Sequence, residues 1–233
     1  MTPKISKPAK TVEELTAELL ALANPANLEG QRRFGMTGAN QLGISIPNLR
    51  ALARGQRSHT LAQQLWDTGF HEARILAGFV DDPKQVTREQ MESWVLAFDS
   101  WDLCDQVCMS LFSETPFVKE AIYAWCPREE EFVRRAGFAL IAVCAWHKKD
   151  WPDAEFLPFL QLTLDYCGDK RNFVKKAVNW ALRQVGKRSP ALRAAATETA
   201  NRMLELNSPS ARWIAADALR EFAIKAKKST PEE

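Results

Sequence analysis

Helix starts recur in this chain at a fixed interval, and that recurrence excludes most architectures open to its length. Pro116, Asp153 and Pro190 stand 37 residues apart, and each is read as opening the first helix of a pair. The second helices share a repeated word. Phe132-Val133-Arg134-Arg135-Ala136 echoes Phe173-Val174-Lys175-Lys176-Ala177, Ala181-Leu182-Arg183 echoes Ala218-Leu219-Arg220, and Ala73-Arg74-Ile75-Leu76-Ala77 is similar to Ala211-Arg212-Trp213-Ile214-Ala215. Two helices per repeat of about 40 residues bury their apolar faces only by stacking on the next pair.

That pattern predicts an all-α chain, an α-solenoid of HEAT-like helix pairs curved into a superhelix with a concave basic groove. An irregular helical bundle is the competing architecture. Apolar residues recur at three and four, as in Leu15, Leu19 and Leu22, without the alternation of a strand. Hydroxyls at Thr115, Ser189 and Ser208, each followed by Pro, read as N-caps with Pro at the first helical position. Thr11, Ser58, Thr87 and Ser100 are further cap candidates. Helices are expected near 12–23, 47–55, 59–67, 71–81, 88–98, 101–112, 116–125, 130–147, 153–167, 171–186, 190–206 and 209–226, with 24–46 unassigned. One repeat domain over 11–226 is expected, between a polar leader (1–10) and a polar tail (227–233).

The 46% hydrophobic and 26% charged composition suits a core without a membrane span, and residues 1–10 lack the apolar stretch of a secretory signal. Cys104, Cys108, Cys126, Cys144 and Cys167 form no CxxC pair, so buried, reduced thiols in a cytoplasmic monomer are expected rather than a metal site. A net charge of +2 names no partner by itself. Its distribution says more. Arg74, Arg134, Arg135, Lys175, Lys176, Arg183, Arg212 and Arg220 all fall on second helices, the ones that line the concave side of such stacks, while acids cluster at Asp81-Asp82 and Glu129-Glu130-Glu131. A groove for a nucleic-acid backbone follows if they face solvent together; ion pairs within and between helices follow if they do not.

Trp101 and Asp105 are four residues apart and share one helix face. Asp102 sits in the first turn, where a carboxylate complements the helix dipole. Spacing alone equally allows Asp105 to be a structural ion pair. Of eight tryptophans, most are expected to fill space between helices; Trp101 and Trp180 are the two whose positions suggest exposure.

Trp101-Asp102-Leu103-Cys104-Asp105, Arg134-Arg135-Ala136, the run Phe173 to Arg183, and Leu42-Gly43-Ile44-Ser45-Ile46-Pro47 together resemble, in order, signature segments of the AlkD-type DNA alkylation repair glycosylases. The resemblance spans roughly residues 12–225. It implies excision of N3- and N7-alkylated purines from double-stranded DNA, without metal or cofactor and without base flipping. It also implies that Asp105 is the catalytic aspartate, that Trp101 and Trp180 hold the lesion's deoxyribose, and that Arg135 lies near the DNA backbone. Phe34 falls where some members carry tyrosine. Arg74, Arg134, Lys175, Lys176, Arg183 and Arg212 are expected as further DNA contacts. A non-catalytic module for DNA structures and a protein-interaction scaffold are the alternatives.

Overall fold

The computed structural model describes residues 10–228, with side chains as far as Ile224. Among the described residues every regular element is helical. The α-helices are α1 Val12–Ala21, α2 Pro25–Arg33, α3 Ile46–Ala53, α4 His59–Asp67, α5 His71–Val80, α6 Arg88–Leu96, α7 Trp101–Ser110, α8 Val118–Trp125, α9 Glu131–His147, α10 Leu157–Tyr166, α11 Asn172–Arg188, α12 Pro190–Glu205 and α13 Pro209–Lys228. Two 3-10 turns, Phe112–Glu114 and Asp153–Phe156, complete the set. The expected leader up to residue 9 and residues 229–233 of the expected tail lie outside the described residues. Lys10 is held by its backbone N–H on Gln56 Oε1 (2.9 Å) and its ammonium on Glu18 (2.6 Å). None of these helices is long and apolar enough to cross a membrane.

Most expected caps are made. Thr11 closes a capping box with Glu14. Ser58, Thr87, Ser189 and Ser208 each accept a backbone N–H from three residues on. Two start signals are used differently. The Thr115 hydroxyl donates backwards to Phe112 O (2.9 Å), ending a 3-10 turn, so α8 starts later, at Val118. The Ser100 hydroxyl donates to Asp102 instead of capping α7. Asp153 likewise opens a 3-10 turn, and the α-helical part follows from Leu157. The unassigned 24–46 segment holds α2, capped by Asn24, and then a non-helical stretch to Ile46.

The helices pack as two compact units, one ending at Pro116 and the other beginning at Phe117. In the first, α5 packs on α3, α4 and α7. Trp66 and Trp94 stack face to face there (3.9 Å between centroids, 3° between planes), with Phe98 and Phe112 tilted against them. Core packing is therefore the role of these two indoles, as expected. In the second unit, α9, α11 and α13 lie side by side as the repeated second helices, while α10 packs on α12. Helix α9 is buried from Val133 to Ala145 except at Arg134, because both α8 and α11 cover it.

Gly137 lets α9 and the end of α8 approach so closely. A Cβ there would stand 2.8 Å from both Cys126 N and Cys126 Sγ, one of them backbone. Alanine gains about 1 kcal/mol in helix propensity, but overpacking costs about 1–3 kcal/mol, and the clash with backbone favours the second effect. Gly137→Ala is expected to lower stability by about 1–2 kcal/mol, read as a fall in thermal midpoint of a few degrees. An unchanged or raised midpoint would show that α8 yields freely.

Candidate functional site

Trp101 and Asp105 are the first and fifth residues of α7, so one helical turn brings their side chains to the same face. Both are half-buried, whereas Leu103, Cys104, Val107 and Cys108 turn inward and are fully buried. Asp105 is thus partly exposed on this face and not one of the inward-facing residues of α7. The Trp101 indole N–H donates to Phe34 O (3.0 Å), which fixes the ring against the end of α2. Phe34 itself is 74% exposed, so its ring is displayed beside this face rather than packed in the core.

A buried charged network behind that face holds loop and helix in register. Glu72, almost fully buried on α5, accepts three successive backbone N–H groups, those of Leu42 (2.8 Å), Gly43 (2.7 Å) and Ile44 (3.2 Å). Gly43 has φ +78°, and a Cβ there would meet Asn24 O at 2.3 Å, so no other residue fits this turn unstrained. Asp99 accepts the Ala39 N–H (2.8 Å). At the start of α7, Asp102 accepts from Ser100 Oγ (2.8 Å) and pairs with His71 Nε2 (2.8 Å). Burial works against a charged imidazole, but the Asp102 hydrogen bond and charge, with help from Glu72 and Asp99, outweigh it and raise the His71 pKa. Burial likewise opposes the Asp102 carboxylate, and His71, then Ser100, bring its pKa below the usual value. His71 Nδ1 and Asp99 Oδ1 are both buried without a hydrogen-bond partner, and both lie against Gly38. Asp102 therefore does more than complement the helix dipole. It locks α7 to α5 directly behind Trp101. Sequence reasoning missed His71, Glu72 and Asp99; their one visible signal is a run of charged residues at helix starts flanked by apolar positions.

In the second unit, Trp180 is half-buried on α11 and Lys176 is exposed, as is Arg212 on α13. The other expected cations are engaged inside the protein. Arg134 donates to Cys126 O (3.1 Å), Pro127 O (3.1 Å) and Asp169 (2.7 Å). Burial would raise the Asp169 carboxyl, but bonds from Arg171 and Arg134 hold it down to about 2. Arg135 is buried and donates to Phe173 O (2.6 Å), so it ties α9 to the start of α11. Arg183 bridges to Asp217 (3.1 Å) and Glu221, and Arg220 also pairs with Asp217. Lys175 lies 4.7 Å over the Trp213 ring. In the first unit, Arg74 lies 5.3 Å over Trp66. The array expected along the second helices is largely spent on joining neighbouring helices, because repeats place acids such as Asp217 and Glu221 opposite it. Asp105 and Trp101 belong to one compact unit, and Trp180, Lys176 and Arg212 to the other.

The His71–Asp102 pair gives stability a defined pH dependence. A raised His71 pKa stabilises fully below the unfolded value, about 6.5, and that contribution is lost as pH rises through the folded value. The lowered Asp102 pKa acts oppositely: its contribution is present above the ordinary carboxyl range and is lost on acidification. Stability is thus expected to peak on the weakly acidic side of neutrality and decline as His71 loses its proton. His71→Asn is expected to remove that alkaline decline and to cost about 3 kcal/mol, because Asp102 is left buried with one partner fewer. Thermal midpoints from pH 5 to 9 check this; an alkaline decline equal to that of the unsubstituted protein would rule the pair out as its source.

Comparison with known proteins places these features. The family model described as DNA alkylation repair enzyme matches residues 15–224. An uncharacterized protein of Listeria innocua is 25% identical over 174 residues, 72% of this chain and 75% of that protein. An uncharacterized protein of Listeria monocytogenes is 25% identical over 152 residues, 63% of this chain and 66% of its own length. Among solved structures, one shares the fold with a TM-score of 0.74 at 20% identity, over 83% of both chains. That structure represents a new family of proteins related to the HEAT-like repeat DNA glycosylases with affinity for branched DNA structures. The all-helical, HEAT-like fold is therefore the expected one, and with the family model matched over nearly all of its described length the chain belongs to the DNA alkylation repair enzyme family.

Proposed function

We propose that this protein binds DNA and excises N3- or N7-alkylated purines, with Asp105 as the catalytic carboxylate and Trp101 beside it. The observation that supports this reading is the half-buried face shared by Trp101 and Asp105, with its indole anchored on Phe34 O and its helix locked from behind by Asp102. Family membership supplies the substrate class.

The chemistry asks little of the protein. An N3- or N7-alkylated purine is cationic, so the electron pair of the C1′–N9 bond can leave with the base and neutralise it without a general acid. The sugar is left with oxocarbenium character, as in glycoside hydrolysis. A carboxylate at Asp105 stabilises that charge and accepts a proton from the water whose oxygen bonds to C1′. The negative face of the Trp101 indole favours the same cation. Lys176, Arg212 and Trp180 remain as proposed DNA contacts on the second unit, with Arg135, Arg134 and Arg183 acting chiefly to hold helices together.

Release of 7-methylguanine or 3-methyladenine from methylated duplex is the assay. Asp105→Asn, which keeps the shape and removes the charge, is expected to slow release at least a hundredfold, about 2.7 kcal/mol of transition-state stabilisation. Release at the unsubstituted rate would end the catalytic assignment. A second reading, DNA binding without excision, is favoured by Phe34 in place of the tyrosine hydroxyl and by the branched-DNA affinity of the structural relative. It predicts tight binding to junctions and no abasic product from either protein.

A further inference from the structure

A pocket of about 390 Å³ opens between the C-terminal ends of α9 and α11, lined by Ala145, Trp146, Lys149, Trp180, Gln184, Lys187 and Arg188. No carboxylate lines it. Trp146 is 51% exposed, with its ring tilted against His147 (4.4 Å between centroids) and about half of its surface left to solvent, and Lys149 beside it is exposed too. Both helix ends should repel an anion, since carbonyls carry the negative end of the helix dipole. At the α9 end Arg188 meets part of that field, donating to Ala145 O (3.2 Å) and, in the loop beyond, to Lys149 O (3.4 Å) and Trp151 O. Lys187 is shared with Glu221 (3.0 Å) on α13. The charge left to a ligand is therefore that of Lys149, with a part of Lys187.

We propose that this pocket binds an unpaired nucleotide of a single-stranded DNA segment, its base against Trp146 and its phosphate on Lys149. Flat indole faces accept any base by stacking, which duplex DNA cannot offer while its bases are paired. Gln184 lies where its amide can meet a base edge, and the volume suits a single nucleotide. Only the ligand class rests on the DNA-binding reading above. Trp180, which also lines the pocket, is shared with the DNA contacts proposed above, whereas Trp146 and Lys149 take no part in the proposed excision; the site would serve flaps, gaps and branch points, where unpaired strands occur.

Fluorescence anisotropy of a labelled oligothymidylate tests it, beside a fully paired duplex of equal length. Trp146→Ala is expected to weaken oligothymidylate binding about tenfold, the stacking of roughly one base, with Trp146→Phe restoring most of the loss. Lys149→Glu is expected to weaken it as well, and is the surface variant to rely on if Trp146→Ala does not fold by circular dichroism. Unchanged oligothymidylate affinity in the folded variants, or loss of duplex and single-strand binding in equal measure, would overturn the proposal. Free thymidine monophosphate competing as well as the oligonucleotide would also overturn it, by making the pocket a mononucleotide site. Base release by unsubstituted protein and by Asp105→Asn is read in parallel, so failure of the excision reading leaves the pocket's result standing.

Discussion

Three successive backbone N–H groups converge on one buried carboxylate, that of Glu72, and the placement of the candidate catalytic face follows from it. A buried carboxylate so satisfied costs little to keep and a great deal to disturb. It fixes the stretch after α2, which delivers Phe34 O to the Trp101 indole. From the other side, His71 leads through Asp102 to Ser100 and the first turn of α7. Loop and helix are thus positioned by hydrogen bonds of fixed direction, not by apolar packing alone. A side chain that must meet a developing charge needs that kind of support.

The same economy governs the second unit. Stacked helix pairs need something to set their register, since apolar faces slide easily past one another. Here Arg134 with Asp169, Arg135 with Phe173 O, and Arg183 with Asp217 and Glu221 each cross from one repeat to the next. Their sequence partners lie 34 to 38 residues away, close to the repeat length itself.

Much of this was legible from residues alone. The helix period, the caps at Thr11, Ser58, Thr87, Ser189 and Ser208, and the buried Trp66 and Trp94 follow from local rules that neighbours do not override. Trp101 and Asp105 emerged as a shared face because four residues make one turn in any helix. What escaped was everything decided by distant partners. Thr115 and Ser100 look like caps, but their hydroxyls are used locally on Phe112 O and on Asp102, the latter fixed in turn by the distant His71. His71, Glu72 and Asp99 carry no motif, and their meaning appears only when 30 or so residues of intervening chain bring loop and helix together. The cations of the second helices were seen as a series, yet their pairing with Asp217 and Glu221 depends on which repeat faces which.

That pairing has a consequence for how tightly and how selectively the protein can hold a polyanion. An arginine already neutralised by its own protein displaces few condensed counterions when a phosphate approaches. Each true phosphate contact contributes about 0.9 to the slope of log affinity against log salt concentration. With Arg134, Arg183 and Arg220 occupied, the cations expected along the second helices leave chiefly Lys176 and Arg212 to generate that slope. An association governed by so few phosphates would be weak on undamaged duplex, leaving discrimination to shape, stacking and the state of the base.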